Sequence, residues 1–522
     1  MNNKKIISGL LALTFVFGGA LVPGSTVKSI AAVSASAATI KSGDFIYSPI
    51  DDSTAEIVRY AGSDANVVIP SEIDELSVTK IKSGAFSGFS KIESIEIPDG
   101  VVSIGDAAFN QCAALTDVVI PDSVTSMGSI AFGGCASLGS IVIPDSVVSM
   151  GTAVFLDCSS LESVTLSKKL EAISDSAFVR CSALKEIVIP DSVTSIGASA
   201  FVYCSNLESI TLSKNLKAIG KNAFDFCEGL TKVAIPNTVT FIGNSAFADC
   251  SALESITLSK KLESVEESTF AKCKKLKSIV IPDTVTSIKD KAFFECELLA
   301  SVTLPSELDS IGVSAFEECS SLAAITFPKK LKTIGDSAFD ACLLLKTVVI
   351  PDGVESIGTS AFAGCSSIES ITIPKSVTEI GDDIVTDNNS LTQTSSANKF
   401  TVYCYTDSAA HKYAEANKLK YELLDAAKPT YPTNIKVDYS EEYHQIRFTW
   451  DKVENAQQYG IAVYLAGKWR IQTQKISAST TSYTTPKNLT PGKTYKVAIA
   501  AKVDGKWDTS NAIKNAVTVT VK

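Results

Sequence analysis

The chain has 522 residues, too many for one compact core and enough for two or three units. Its 45% hydrophobic and 20% charged content is that of a folded protein, which excludes a disordered chain. The net charge of −10 is concentrated as acid in 39–428, with 429–522 net basic, and this excludes a nucleic-acid binder built on the larger part. In chain order, residues 1–38 read as a secretory signal. Lys4 and Lys5 precede the apolar run Ile6 to Val22, and Ala35-Ser36-Ala37-Ala38 supplies a small-residue cleavage site. The mature chain is then expected to begin near Ala38 or Thr39, to be extracellular, and to carry no transmembrane segment.

Residues 39–66 read as a cap. Phe45-Ile46-Tyr47 and Ile57-Val58-Arg59-Tyr60 flank Asp51-Asp52-Ser53 as a hairpin that would cover an open edge. From 67 to 391 one pattern repeats. Phe recurs every 23 residues from Phe86 to Phe362, thirteen times, and Cys follows three residues later from Cys112 to Cys365. Only the first copy differs, with Phe89 in the Cys position. A strict period of this length predicts a solenoid whose turns bury their apolar faces against each other. The first turn carries a five-residue insertion between Pro70 and Phe86.

Within a turn, Ile210 and Leu212 alternate with Ser209 and Thr211, which predicts a strand. Gly220 is expected to permit a tight bend. Ala223-Phe224 and Cys227 are spaced as for one short helical turn. Stacked parallel strands about 4.8 Å apart would build a ladder roughly 60 Å long. A two-turn period overlies the first. Asp191, Lys214, Asn237, Lys260 and Asp283 share a column, beside an alternation of Pro190, Ser213, Pro236, Ser259 and Pro282. Neighbouring Asp and Lys are placed to pair across turns.

The string Leu184 through Cys204 reads Leu-x-x-Ile-x-Ile-Pro-x-x-Val-x-x-Ile-Gly-x-x-Ala-Phe-x-x-Cys. It resembles the BspA-like leucine-rich repeat. The resemblance covers about 67–391 and implies a leucine-rich-repeat solenoid, a parallel β ladder with short helical turns. It departs from the general leucine-rich pattern at the Asn/Cys position, occupied by Lys169, Ser192, Asn215 and Thr238, so an Asn ladder is not implied.

Beyond Ile380-Gly381 the repeat decays, with Val385 in the Phe position, Asn388 in the Cys position, and a polar loop from Asp387 to Ala397. Residues 392–425 read as a C-terminal cap. It comprises a strand at Phe400 to Tyr403, a helix capped by Ser408 and running to Asn417, and a strand from Leu419 to Leu424. Residues 426–432 are a linker. Residues 433–522 alternate as strands around Ile446 to Trp450, Tyr459 to Tyr464 and Tyr495 to Val503. Trp450 and the run Leu489-Thr490-Pro491-Gly492 to Tyr495 resemble a fibronectin type III domain. In such a sandwich Tyr495 would form a tyrosine corner.

The uniform column of twelve repeat cysteines is unlike a disulfide framework of mixed spacings, and parallel side-chain vectors suit the disulfide torsion poorly. A buried, reduced apolar ladder is the reading, with Cys404 packed in the cap. Metal ligation would need histidines or paired CxxC spacing, so no metal or cofactor is expected. His411 and His444 lack a nucleophile in a recognisable motif, and the carboxylates recur as columns instead of one singular pair. No catalytic residues and no enzyme activity are expected.

What remains is the outward strand face. Ser163, Ser209, Ser255 and Ser301 line one column, and Thr165, Thr211, Thr257 and Thr303 the next, the latter interleaved with Val188, Ala234 and Val280. This is the candidate binding face. Its other reading is plain β propensity on a solvated sheet. The resemblance implies a secreted or cell-surface-associated adhesin-like protein that engages a host or matrix protein through the solenoid. Two alternatives stay open. One is an accessory or spacer of an extracellular polysaccharide-degrading system, with Trp469 and Trp507 as its few exposed aromatic candidates. The other is a purely structural surface element.

Overall fold

The computed structural model describes residues 38–385, 400–425 and 428–522. Residues 1–37 of the expected 1–38 signal, Asn388 with the loop at 387–397, and linker residues 426 and 427 lie outside the described residues. The 23-residue repeat is a coil in which most turns lay two short strands parallel to their counterparts in a neighbouring turn. A three-residue strand such as Glu186–Val188 pairs with Ser209–Thr211, and a two-residue strand such as Ser195–Ile196 pairs with Ala218–Ile219. The second ladder was not expected. Its strands are too short to show alternation, and only the inter-turn bonds define them.

The expected helical turn is absent, and a non-helical corner takes its place. Ser199 and Tyr203, on either side of Phe201, both have left-handed backbone (φ 56° and 61°), and the same two positions recur in turn after turn. Two left-handed residues so close together forbid a right-handed helix. The amides of Ser199, Phe201 and Tyr203 instead donate to the carbonyls of Lys221, Ala223 and Asp225 one turn on. The corner therefore satisfies its backbone between turns, as a strand would.

The chain does turn after Gly220, and the glycine that follows most of the two-residue strands also leaves room for the preceding turn, although Ser174, Glu266 and Lys289 stand in the same place elsewhere. A Cβ on Gly220 would stand 2.6 Å from the Ala198 nitrogen of the preceding turn, and one on Gly197 2.4 Å from an Asp175 carboxylate oxygen. Where Ser174 takes this place, its hydroxyl donates to the Gly151 carbonyl at 2.6 Å. The Asp that follows several of these positions is also explained. Oδ1 of Asp106, Asp175, Asp290 and Asp336 accepts a backbone N–H from the next turn at 2.7–2.8 Å.

Two side-chain ladders run through the core, among columns of buried Leu, Ile, Val and Ala. The thirteen repeat phenylalanines are fully buried and stack along the axis with ring centroids 5.1–5.8 Å apart. Tyr60 of the cap extends the stack, 5.6 Å from Phe86. Beside it, each cysteine Sγ from Cys112 to Cys365 donates to the carbonyl of the phenylalanine in the preceding turn, at 3.1–3.3 Å. The exception in the first copy follows directly. No repeat phenylalanine precedes Phe86, so a thiol there would have no such carbonyl, and Phe89 packs instead on Tyr60 at 5.3 Å. All thirteen cysteines are buried and unpaired.

The Pro/Ser alternation also has a backbone cause. Ser167, Ser213 and Ser259 are buried, and each hydroxyl accepts the N–H two residues on, at 3.1–3.2 Å. At the other turns proline fixes the bend by its ring. Lys214 pairs with Asp191 at 3.2 Å, and Asn237 Oδ1 accepts the Lys260 amide at 3.0 Å, so the second column does couple across turns.

At the start of the coil, Ile40–Ser42, Phe45–Pro49 and Thr54–Tyr60 form an antiparallel meander whose last strand joins the two-residue ladder in parallel through Leu76–Ile81. The insertion in the first turn folds as a hairpin of Glu72–Ile73 against Leu76–Ile81, turned by Asp74 and Glu75 with positive φ. At the far end, Thr401–Cys404 and Tyr421–Leu423 extend the three-residue ladder in parallel. The helix Ala409–Ala416 lies between them, with Ser408 accepting the His411 amide and Ala410 and Ala414 buried. Asp425 anchors this end through Thr406 and Lys375.

Residues 436–520 form two antiparallel sheets. Lys436–Ser440, Gln445–Thr449 and Ser482–Thr484 make one. In the other, Ala456–Leu465 lies between Lys468–Ser477 and Thr494–Val503, and the latter also pairs Lys506–Trp507 and Val517–Thr520. Phe448 of the first sheet and Trp450, just past its strand, meet Tyr459, Ile461, Val497 and Ile499 from the second in one core. Tyr495 packs on this core, but among the described residues its hydroxyl makes no backbone hydrogen bond, so the expected corner does not form. The buried tyrosine that does bond to backbone is Tyr459, whose oxygen accepts the Val453 amide at 2.8 Å.

Candidate functional site

Each three-residue strand turns its middle residue inward and its outer two to solvent, which is the ordinary pleat. Ile187, Ile256 and Ile279 occupy that inward position and are buried. Ser163, Thr165, Ser209, Thr211, Ser255, Thr257, Ser301 and Thr303 are all exposed. The structure therefore brings every candidate residue onto one side of the coil. In register they lie beside Ser140 and Val142, Glu186 and Val188, Lys232 and Ala234, and Ser278 and Val280.

The second column is the informative one. Val119, Val188 and Val280 are 69%, 63% and 67% exposed, and Val142 and Val349 are similarly open. β-branched side chains with this exposure form an apolar and hydroxylated stripe that nothing in the described chain covers. The hydrogen-bonded ladder is interrupted between Val119 and Val142, between Thr165 and Val188 and between Thr257 and Val280, and Ala324–Thr326 adopts no strand. The first column is mostly hydroxyl, with Asp117 as one charge and Glu186 and Lys232 on either side of Ser209 as two more.

Acid collects on a different edge, beside the Phe corners. Burial first, and then Asp249, pushes the Asp225 carboxyl up to about 6. Burial also raises Asp249, Glu318 and Asp340 above the usual carboxylate range, with neighbouring acids adding to the shift of each. Tyr203 and Phe226 stack on this edge at 4.6 Å, with the Arg180 guanidinium 5.8 Å from the Tyr203 ring. This aromatic pair on left-handed residues escaped the sequence reading, because its signal is a departure from the usual small or polar residue at that position.

The histidines do not form a catalytic group. His411 Nδ1 accepts the Asp407 amide at 3.2 Å, and His444 Nδ1 lies 3.1 Å from the Lys522 carbonyl. Among the described residues no group of three or more His, Cys, Asp or Glu is placed to hold a metal ion. No helix among them is long and apolar enough to cross a membrane.

This coil, with its Phe and Cys ladders, is a leucine-rich-repeat solenoid. A model of the BspA type leucine rich repeat region matches residues 79–208, 171–300 and 287–410, which together span more than half of the chain. The chain belongs to the BspA-type leucine-rich-repeat family. A leucine-rich repeat protein from Bacteroides ovatus is 30% identical, over 65% of this chain and 95% of that one, with a TM-score of 0.57. A leucine rich cell surface protein from Faecalibacterium prausnitzii is 28% identical, over 68% of this chain and 96% of that one, with a TM-score of 0.43. No curated protein matches the chain.

Proposed function

We propose that this is an exported, surface-associated binding protein whose solenoid engages a protein partner through the strand face. The observation that carries the reading is the uncovered stripe of exposed Val and Thr running across consecutive turns. A row of side chains spaced by one strand suits an extended segment, which makes several weak contacts along it. Membership of the BspA-type family and the Lys4/Lys5 signal pattern support export and adhesion to host or matrix protein. Residues 39–66 and 392–425 serve as caps on a solenoid spanning 67–391. Residues 426–432 serve as a linker to 433–522, whose two packed sheets support a fibronectin type III-like reading.

The test is a full chain carrying Thr211→Lys, Thr257→Lys and Thr303→Lys together, applied to a panel of immobilised matrix proteins. These side chains point away from the core, so the melting temperature is expected to stay where it is. Binding to the matrix protein that retains the parent chain is expected to fall at least about tenfold. Absence of binding to every matrix protein, or equal binding by the variant, overturns the reading.

A further inference from the structure

The outer face of the five-stranded sheet, on the side away from its core, is not a plain solvated surface. Cross-strand neighbours Gly460 and Ala500, and Ala462 and Ala498, give it a floor of very small residues. Ile471 stands opposite Ala462 and is 63% exposed. At one end of this floor Trp469 faces Tyr464 across the strand pair, with ring centroids 5.4 Å apart. At the other end the Trp507 ring packs against Gly460, so close that a Cβ there would be 3.1 Å from Cζ3. The helix Thr509–Lys514 closes one side through Ala512 and Ile513. The result is a cleft of about 250 Å³ with a tryptophan at each end.

Its lining decides the ligand chemistry. None of the residues that line it is charged, and its polar groups are Thr473, Gln474 and Thr509. A phosphate or an acidic chain would find no counter-charge there. The volume lies below the range of about 300–1,000 Å³ for drug-sized ligands, too small for a helix and suited to one or two rings. A pyranose presents an apolar C–H face to an indole ring and hydroxyls at its edge to hydroxyl and amide groups. Two tryptophans with a few uncharged hydrogen-bonding side chains meet both needs. We infer that this cleft binds a segment of a neutral polysaccharide. The inference is independent of the solenoid reading, since it uses no residue of the repeat.

The test uses the full chain and soluble cellohexaose, xylohexaose and mannohexaose as probes, with retention on the matching insoluble glycans as a second readout. The chain has three tryptophans, and Trp450 is buried in the core, so a saturable change in tryptophan emission reports on Trp469 and Trp507. At least one neutral oligosaccharide is expected to produce it. Trp469→Ala is expected to weaken binding at least about tenfold, Trp469→Phe less, and the triple Thr→Lys solenoid variant not at all. Ala462→Gln, which fills the floor, should abolish binding, with the melting temperature checked for each variant. The inference is overturned if no neutral glycan binds. It is equally overturned if binding survives Trp469→Ala and Ala462→Gln in folded protein, or if only a proline-rich peptide or a polyanionic glycan occupies the cleft.

Discussion

The Sγ of Cys204 meets the Phe178 carbonyl at 3.1 Å, and the same contact recurs in every turn from Cys112 on. That carbonyl already accepts the Cys181 amide of its own turn, so the thiol fills its second lone pair. Serine could donate there too, but cysteine fills the apolar column while giving up less on leaving water. Burial pushes the thiols of Cys112, Cys158 and Cys365 up to about 12, and those of Cys181, Cys227 and Cys273 well above their ordinary value. The thiolate is the reactive form, so the native column should be inert. At pH 8 the folded protein is expected to take up almost no maleimide. After denaturation without reductant, most of its thirteen cysteines should be labelled. Labelling of nearly none after denaturation would mean that the column is cross-linked.

A single turn cannot bury Phe201 by itself. The ring is fully buried because Phe178 and Phe224 cover its two faces, each 5.2 Å away. Phe201→Ala should cost about 3–5 kcal/mol, as large core truncations do. Coupling in a stacked array is to nearest neighbours, so amide exchange should rise most in the turns holding Phe178 and Phe224 and little near Phe339. A uniform rise along the whole coil would show that the array unfolds as one unit. At this scale the sequence was legible where chemistry repeats every 23 residues: the Phe column, the Cys column and the outward Ser/Thr face. It was not legible where identity varies and only inter-turn geometry is constant. Ser199 and Tyr203 share a left-handed backbone with no shared side-chain type, and so the corner looked helical. Gly220 reads as a flexible residue in sequence, yet its role is to let the Ala198 nitrogen approach. Trp469 and Trp507 were expected from sequence to be exposed, but the structure half-buries both, and their meeting in one cleft depends on strand register.

Across the whole molecule, acids of two kinds oppose each other in pH. Asp191, Glu254 and Asp425 are held below their usual range. Lys214 and Lys277 hold the first two, and the Thr406 amide and then Lys375 hold the third. Stability from these groups is present above their unfolded values and is lost as pH falls through the folded ones. Asp225, Asp249, Glu318 and Asp340 behave the other way. Burial makes the folded chain hold their protons more tightly than the unfolded chain does. Their contribution is therefore complete below an unfolded value of about 4 and is lost as pH rises, for Asp225 through about 6. A net charge of −10 adds self-repulsion on the same side as pH rises. The melting temperature should accordingly be higher near pH 5 than at pH 7, and should fall again in stronger acid. Asp225→Asn removes the carboxyl that burial raises to about 6, and its neighbour Asn222, which donates to it at 3.2 Å, can still donate to the new amide oxygen. This variant should melt higher than the parent at pH 7, match it near pH 4, and show a flatter limb between pH 5 and 7. If the variant follows the parent curve throughout, the buried acid edge does not govern the pH response of the solenoid.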